Sequence, residues 1–337
     1  MIINIKAYRM SKYSFSRLHI FIILLATVYI LWLGYFFIKE QWYLFASYWP
    51  MSLTMVLGGV VAGSSAIGGG GVAYPVFTKV LQISPEDART FSLMIQTVGM
   101  GMASVFIWAK GIRVLWRVIL ITSIGGLLGL VVGTFWLQIP TPYQKLTLTY
   151  VMSLFGCVLI YLTWGKRLAV FSEVRLHTWR RVTLLFVVGI LGGVLSANVG
   201  SGIDILTFII LTLVFGVNEK LGTPTTVIIM AINAAAGFWL HAGVIKDIQP
   251  VYDFWLVCIP IVALGAPLGA FLISIVQRHH LILFLLGLIS LEFISTLLLI
   301  PQSQVSILFG IGLLCIAGCL FWLMLGYRLR IIHGESD

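Results

Sequence analysis

The sequence predicts an all-α polytopic membrane protein made of two inverted-topology repeats, each a glycine-broken re-entrant hairpin plus three transmembrane helices, with extra terminal helices. Three observations carry this prediction. Of the 337 residues, 60% are hydrophobic and 9% charged, whereas a soluble domain carries roughly 25% charged residues. Two glycine-rich breaks, Gly68–Gly71 and Gly200-Ser201-Gly202, interrupt long apolar stretches. Broken backbone at membrane depth is tolerated only where it lines a protein-enclosed cavity, so two such breaks imply one shared cavity. Finally, the loops between apolar segments alternate between many and few basic residues.

In chain order, apolar segments of about 20 residues, enough to cross a bilayer core as helix, fall at His19–Ile38, Ala88–Ala109, Val114–Leu137, Leu146–Trp164, Leu221–Gly243, Tyr252–Val276, Leu281–Ile300 and Ser306–Leu325. These are eight full spans. Pro50–Gln82 and Val182–Val217 are longer than one span and broken near their middles, which predicts hairpins. The first span follows Lys6, Arg9, Lys12 and Arg17 as a secretory leader would. Its apolar core is too long and no small-residue cleavage motif follows, so it reads as an uncleaved anchor.

Lys and Arg flanking spans stay cytoplasmic. The N-terminal tail holds four, the next loop Lys39 alone, the Lys110–Arg117 turn three, Gln138–Lys145 one and Lys166–Arg181 five. The alternation holds only if Pro50–Gln82 enters and leaves on the outer side and the second hairpin enters from the cytoplasmic side. The predicted organisation is a cytoplasmic basic tail (1–17), an added N-terminal helix (18–39), repeat 1 (50–164), a cytoplasmic basic loop (165–181), repeat 2 (182–300), an added C-terminal helix (305–326) and a cytoplasmic tail (327–337). The expected location is the cell membrane, multi-pass, with both termini inside. The net charge of +10 is then met by anionic lipid headgroups, and no nucleic-acid partner is implied. Self-association is left open.

Short segments recur between the halves. Gly58-Gly59-Val60-Val61 lies over Gly192-Gly193-Val194-Leu195, Gly69-Gly70-Gly71-Val72 over Gly200-Ser201-Gly202-Ile203, Arg89-Thr90-Phe91-Ser92-Leu93 over Gly222-Thr223-Pro224-Thr225-Thr226, and Gly125-Gly126 over Gly265-Ala266. Small residues also recur in any close-packed bundle, which is the competing explanation. The segment Ile67-Gly68-Gly69-Gly70-Gly71 with Pro75, the Arg89-Thr90-Phe91-Ser92 segment and their recurrence resemble the TauE/SafE family of sulfite and organosulfur-anion exporters, over roughly Ser52 to Ile300. The resemblance implies a membrane transporter and supplies the only pointer to efflux. The second motif departs from the first by reading Gly-Ser-Gly-Ile-Asp without the proline.

The chemistry expected at the breaks is anion binding. Val72–Leu81 and Ile203–Phe215 are long enough for half-helices, whose N-termini carry about half a positive charge and unpaired N–H groups. Glycine lets an oxyanion approach the backbone without a Cβ in the way. The candidate substrate-binding residues are Gly68, Gly69, Gly70, Gly71, Ser64, Thr90, Ser92 and Gln96 in the first half, and Asn198, Gly200, Ser201, Gly202, Thr223, Thr225 and Asn233 in the second. Hydroxyls donate to an oxyanion without adding charge; interhelical packing or i−4 backbone bonds are the alternative for each. Asp204, an acid at membrane depth, reads either as the proton-coupling carboxylate or as a helix cap.

Other polar residues suggest structural roles. Glu292 is expected to pair with a group on another helix, Lys79 to cap the first half-helix, and His241 to anchor at the interface. The cysteines, all within spans, are expected to pack. Trp42, Trp49, Trp108, Trp164, Trp179 and Trp322 form an aromatic belt. The function expected is a secondary carrier, an exporter of sulfite or an organosulfur anion by alternating access. The alternatives are an anion channel or, from a different class, a membrane-embedded enzyme or assembly factor. Neither G-x-x-x-x-G-K-[ST] nor H-E-x-x-H occurs, Ser201 lacks a histidine at similar depth, and no catalytic, metal or cofactor site is expected.

Overall fold

The protein is described by a computed structural model covering residues 2–140, 143–165, 171, 174, 178–249, 251–299 and 303–332. Among these residues ten helices are long and apolar enough to cross a membrane. The chain runs α1 (Ile2–Lys39), α2 (Tyr43–Ser64), the short α3 (Gly70–Pro75), α4 (Pro85–Ala109), α5 (Trp116–Phe135), α6 (Tyr143–Trp164), α7 (Trp179–Val199), the short α8 (Ile203–Ile209), α9 (Glu219–Trp239), α10 (Val251–Ile275), α11 (Arg278–Leu299) and α12 (Gln304–Ile332). Most of the expected 165–181 loop, the 300–302 turn and the end of the C-terminal tail lie outside the described residues.

The eight expected spans are present, and α2 and α7 raise the number to ten. The sequence reading shortened both. It started the first hairpin at Pro50, whereas α2 begins at Tyr43 and passes through a kink at Tyr48 (φ −118°, ψ 23°), as a proline two residues on, which removes one backbone bond and crowds the preceding turn, requires. From Ile2 on, the expected tail is likewise helical and continuous with the first span. Where the sequence carries strong start signals the boundaries are sharp. Ser84 accepts a hydrogen bond from the Asp87 N–H ahead of Pro85, and Asn218 accepts one from the Lys220 N–H. Acids in the first turns of α4 and α9 then complement the helix dipole.

After α2 and after α7 the helix breaks and the chain doubles back. Gly69 lies against Ala62 and Gly58, and Ile203 lies against Gly192. The short arms are α3 and α8, each continued by one π-helical turn, Val76–Val80 and Ile210–Val214. The interval between these two turns equals that between the Ser84 and Asn218 caps and that between Gly58 and Gly192.

Small residues set the main helix crossings. On α2, Gly59 faces Val262 and Gly265 of α10, and Gly63 faces Ala266 and Ala270. On α5, Gly125 faces Phe186 and Ile190 of α7, and Gly133 faces Val194 and Ala197. With lipid as apolar as the side chains, close backbone contact is what holds such pairs together. The first helix of each half therefore packs on the third long helix of the other half. Outside this centre, α1 lies along α4 and α10, with Arg17 5.1 Å over the Trp108 ring and Trp32 Nε1 donating to the Leu256 carbonyl, while α12 lies on α6 through Tyr143–Phe309 and Tyr161–Phe321.

Three smaller expectations are revised. Only Cys258 packs inside; Cys157, Cys315 and Cys319 sit on outward faces, because these helices present one side to the exterior. His241 is 1% exposed rather than an open polar anchor, and it lies where the end of α9 widens into a π turn, Leu240–Ile245. The Lys79 ammonium does not cap its own segment. It reaches α11, as described below.

Candidate functional site

The two breaks touch. Left-handed backbone at Gly68 (φ +72°) and Gly200 (φ +78°), and φ +147° at Gly202, let the chain reverse where other residues would be strained. The Ser201 hydroxyl donates across to the Ile67 carbonyl at 3.2 Å, and Gln96 Nε2 of α4 donates to the Gly200 carbonyl at 2.7 Å. A Cβ on Gly68 would stand 2.7 Å from Asp204 Oδ2, 2.7 Å from Gln96 Oε1 and 3.3 Å from Ser201 Oγ; one on Gly70 would stand 2.6 Å from Gln96 Nε2. First break, second break and the middle of α4 thus form one buried polar cluster.

Asp204 is fully buried. Its Oδ1 accepts from the Gly202 and Ile205 N–H groups at 3.0 Å each, and Ser201 Oγ lies 3.2 Å away, so Asp204 and the Ile67 carbonyl share its single proton. That arrangement keeps the helix-cap role of the carboxylate alongside its position at the junction, where Oδ2 faces Gly68. Gln96 Oε1 and Ser92 Oγ are buried without a hydrogen-bond partner. Buried polar atoms are normally satisfied, so two orphans beside the breaks mark a place that a ligand or water can complete.

A family comparison fits this architecture. The family profile described as Sulfite exporter TauE/SafE matches residues 51–296, a stretch that begins in α2 and ends in α11 and leaves out the two terminal helices. The chain belongs to the TauE/SafE family. Neither a curated protein nor a solved structure matches it. In this TauE/SafE protein the matched region holds both breaks, both short arms and the helices packed on them.

Of the residues expected to bind substrate, Gly68, Gly70, Gly200, Ser201, Ser92 and Gln96 meet at the junction, while Gly202 faces Leu195 and gives its N–H to Asp204. Gly69 instead faces Gly58 and Ala62, and Gly71 faces Ile67 and Met152. Ser64 donates to the Val60 carbonyl one turn back. Asn198 is used up by backbone: its amide donates to the Leu137 and Val194 carbonyls and its oxygen accepts from the Ile139 N–H at 2.6 Å. Thr225 donates to the Leu221 carbonyl and receives the Leu115 N–H at the start of α5. Counted from the Ser84 and Asn218 caps, Ser92 corresponds to Thr226 rather than Thr225, and one residue turns a helical side chain by about 100°. Thr90 and Thr223 are buried. Asn233 is buried with both amide atoms unpartnered, its oxygen beside Gly126.

Two serines shape the breaks, and sequence reasoning missed the second of them. Ser65 accepts from the Ile67 N–H and donates to the Val61 carbonyl, shaping the first break. Ser196 accepts from the Ile203 N–H at 3.2 Å, tying the second short arm to α7. Both stand beside a glycine-rich run, the one sequence signal that pointed to them.

On the far side of the first hairpin, Lys79 and Glu292 form a buried ion pair of 2.6 Å. The ammonium also donates to Thr296 Oγ1 at 2.7 Å, Ser295 Oγ at 3.0 Å and the Glu292 carbonyl at 3.2 Å, and Thr149 Oγ1 donates to the carboxylate at 2.9 Å. The partner expected for Glu292 on another helix is therefore Lys79. A cavity of about 230 Å³, lined in part by Ile67, Gly71, Met152, Lys79 and Glu292, separates this pair from the first break.

Proposed function

We propose that the protein is a secondary carrier that moves sulfite or a related organosulfur anion by alternating access, with the two breaks as the moving contact and the two halves as inverted repeats. The observation that carries the reading is the direct Ser201–Ile67 bond between the breaks, with Gln96 of α4 bonded to the Gly200 carbonyl beside it. Two hairpins whose tips close on each other at a buried polar cluster provide a barrier, and parting them opens a path. Carriers of this kind place discontinuous helices at the repeat interface for this purpose.

Inversion is supported by the direction of the helix pairs. Along α10, Val257, Val262 and Ala266 meet Ser52, Gly59 and Gly63 in the same order, so α2 and α10 run alike. Trp255 on Met94 and Val262 on Gly99 add α4 to that set. The order of contacts along α5 and α7 gives the same for that pair. Leu93 of α4 packs on Gly237 of α9, with Arg89 one turn back facing His241 one turn on, so the equivalent helices α4 and α9 run oppositely. A hairpin between like-directed α2 and α4 has to leave on the side it entered. Single cysteines placed at Gly111 and at Lys246 in a cysteine-free background should label from opposite faces of sealed vesicles; labelling from one face would sink the inverted arrangement.

Asp204 is assigned the coupling role. An ionised carboxylate at the junction repels an anion, and a protonated one does not, so release of the anion and of the proton are linked by electrostatics. Proteoliposomes loaded with sulfite, thiosulfate, sulfonates or carboxylates should show counterflow of one of them, and a pH gradient should drive its accumulation. Asp204→Asn should retain counterflow and lose the gradient-driven component. An unchanged response to the gradient removes the coupling proposal, large unitary currents would make the protein a channel, and no flux of any anion removes the transport reading itself.

A further inference from the structure

The groups that surround Gly68 at the junction are oxygens: Asp204 Oδ2, Gln96 Oε1 and Ser201 Oγ. Such a set does not neutralise an anion. A buried anion needs a countercharge or a dense set of donors, and the buried cations of the described chain differ sharply in what they already hold. Lys79 is saturated by Glu292, Ser295 and Thr296. Arg89 is 9% exposed, its Nε is buried without a partner, and among the described residues its guanidinium makes neither a hydrogen bond nor an ion pair within 4 Å. The charges around it, Asp247, Glu86 and Asp87, act at longer range.

Arg89 is also well placed. Arg89, Ser92 and Gln96 recur at helical spacing on one face of α4, and all three border the second break: a Cβ on Gly200 would stand 2.8 Å from the Arg89 carbonyl and 3.1 Å from Ser92 Oγ, and Gln96 bonds the Gly200 carbonyl. The stripe runs from the start of α4 to the junction and carries three orphaned polar atoms, Arg89 Nε, Ser92 Oγ and Gln96 Oε1. Opposite it stands α9. Its Gly237 packs on Leu93, so one turn further along α9 and one turn back along α4 bring His241 towards Arg89. His241 Nδ1 lies 2.8 and 3.0 Å from the Asp247 carboxylate oxygens, while Nε2 is buried and unpartnered. With the carboxylate as acceptor, Nδ1 carries the hydrogen, and Nε2 of the neutral ring is left as an acceptor.

We infer that Arg89 and His241 form the anion-receiving station of the carrier, between the start of α4 and the junction of the breaks, for a small oxyanion that carries one hydroxyl, such as hydrogen sulfite. The inference rests on the transport reading. The planar guanidinium fork takes two oxygens of the anion, and His241 Nε2 accepts its O–H. Asp247 is a positioning residue that fixes the ring. Ser92 and Gln96 then lead the anion toward Asp204, where its charge and that of the carboxylate compete.

The test uses the purified full chain in proteoliposomes and in detergent, with sodium sulfite at mildly acidic pH as probe and methanesulfonate, which has no hydroxyl, as comparison. In Arg89→Gln the half-saturating sulfite concentration should rise by about tenfold or more, the loss of a charge-assisted bond, and Arg89→Lys should fall between that variant and the parent. The thermal midpoint of ligand-free Arg89→Gln should not fall, because an unpaired buried charge does not stabilise a fold, while the upward shift produced by sulfite should disappear. His241→Leu should erase the preference for sulfite over methanesulfonate. Unchanged half-saturation in Arg89→Gln, or a lowered ligand-free midpoint with sulfite still shifting it, overturns the station while transport stands. Absence of flux in the parent takes the transport reading and the station down together.

Discussion

Replacing Gly68 by alanine should stop anion flux and leave the helices assembled. The residue sits at φ +72°, where a non-glycine residue costs of order 1–3 kcal/mol. Its new Cβ would also stand 2.7 Å from both Asp204 Oδ2 and Gln96 Oε1. Neither oxygen can simply swing away. Asp204 is held through Oδ1 by two backbone N–H groups, and Gln96 through Nε2 by the Gly200 carbonyl. The methyl group therefore separates the two breaks or distorts the Asp204 carboxylate, and flux should fall by more than about tenfold, the factor that 1.4 kcal/mol represents. Gly101→Ala is the matched control. It lies on α4 with nothing within 4 Å of its would-be Cβ, and flux should be unchanged. A Gly68→Ala protein that transports at the parental rate would mean that the junction is not the barrier.

Lys79→Met should be the most destabilising single change among the polar residues of the first hairpin. It leaves the Glu292 carboxylate, 6% exposed, with only the Thr149 and Thr296 hydroxyls. Removing one partner of a buried ion pair costs about 3–5 kcal/mol, whereas replacing both by apolar groups of similar volume is often neutral or stabilising. The double variant Lys79→Met/Glu292→Leu should therefore recover most of the thermal midpoint lost by Lys79→Met, measured in detergent by loss of monodisperse protein on heating. Additive losses would contradict this account. The pair joins the short arm to α6 and α11 rather than to the opposite break, so the double variant should also transport.

The comparison of these two sites explains what the sequence made legible. Breaks at Gly68–Gly71 and Gly200–Gly202 could be read because glycine and hydrocarbon are incompatible unless the backbone is enclosed, and the spans could be read from length and apolarity alone. Charge counting added an expectation, the side from which each hairpin enters, that vesicle labelling tests. Pairing was less accessible. Lys79 and Glu292 are separated by 213 residues, and each has a plausible local role taken singly. In the proposed repeat the register along α4 and α9 follows the Ser84 and Asn218 caps rather than the Thr-rich stretch on which the sequence alignment rests. Arg89 was quoted as part of a motif and not as a site residue, because only the folded chain shows that its guanidinium lacks a partner. Asn198 and Thr225 drew attention for being polar near a break, yet their hydrogen bonds are spent on the ends of α5.

The exchange of partners between the halves, α2 on α10 and α7 on α5, also bears on how the chain is made. As α2 leaves the ribosome its glycine-lined face has no mate, and the helix that covers Gly59 and Gly63 begins only at Val251. The glycine-lined face of α2 must wait in the bilayer until most of the second half has been synthesised. The α7 helix, by contrast, meets α5 at once. The proposed gate draws Ile67 and Gln96 from one half and Gly200 and Ser201 from the other, so neither half makes it on its own.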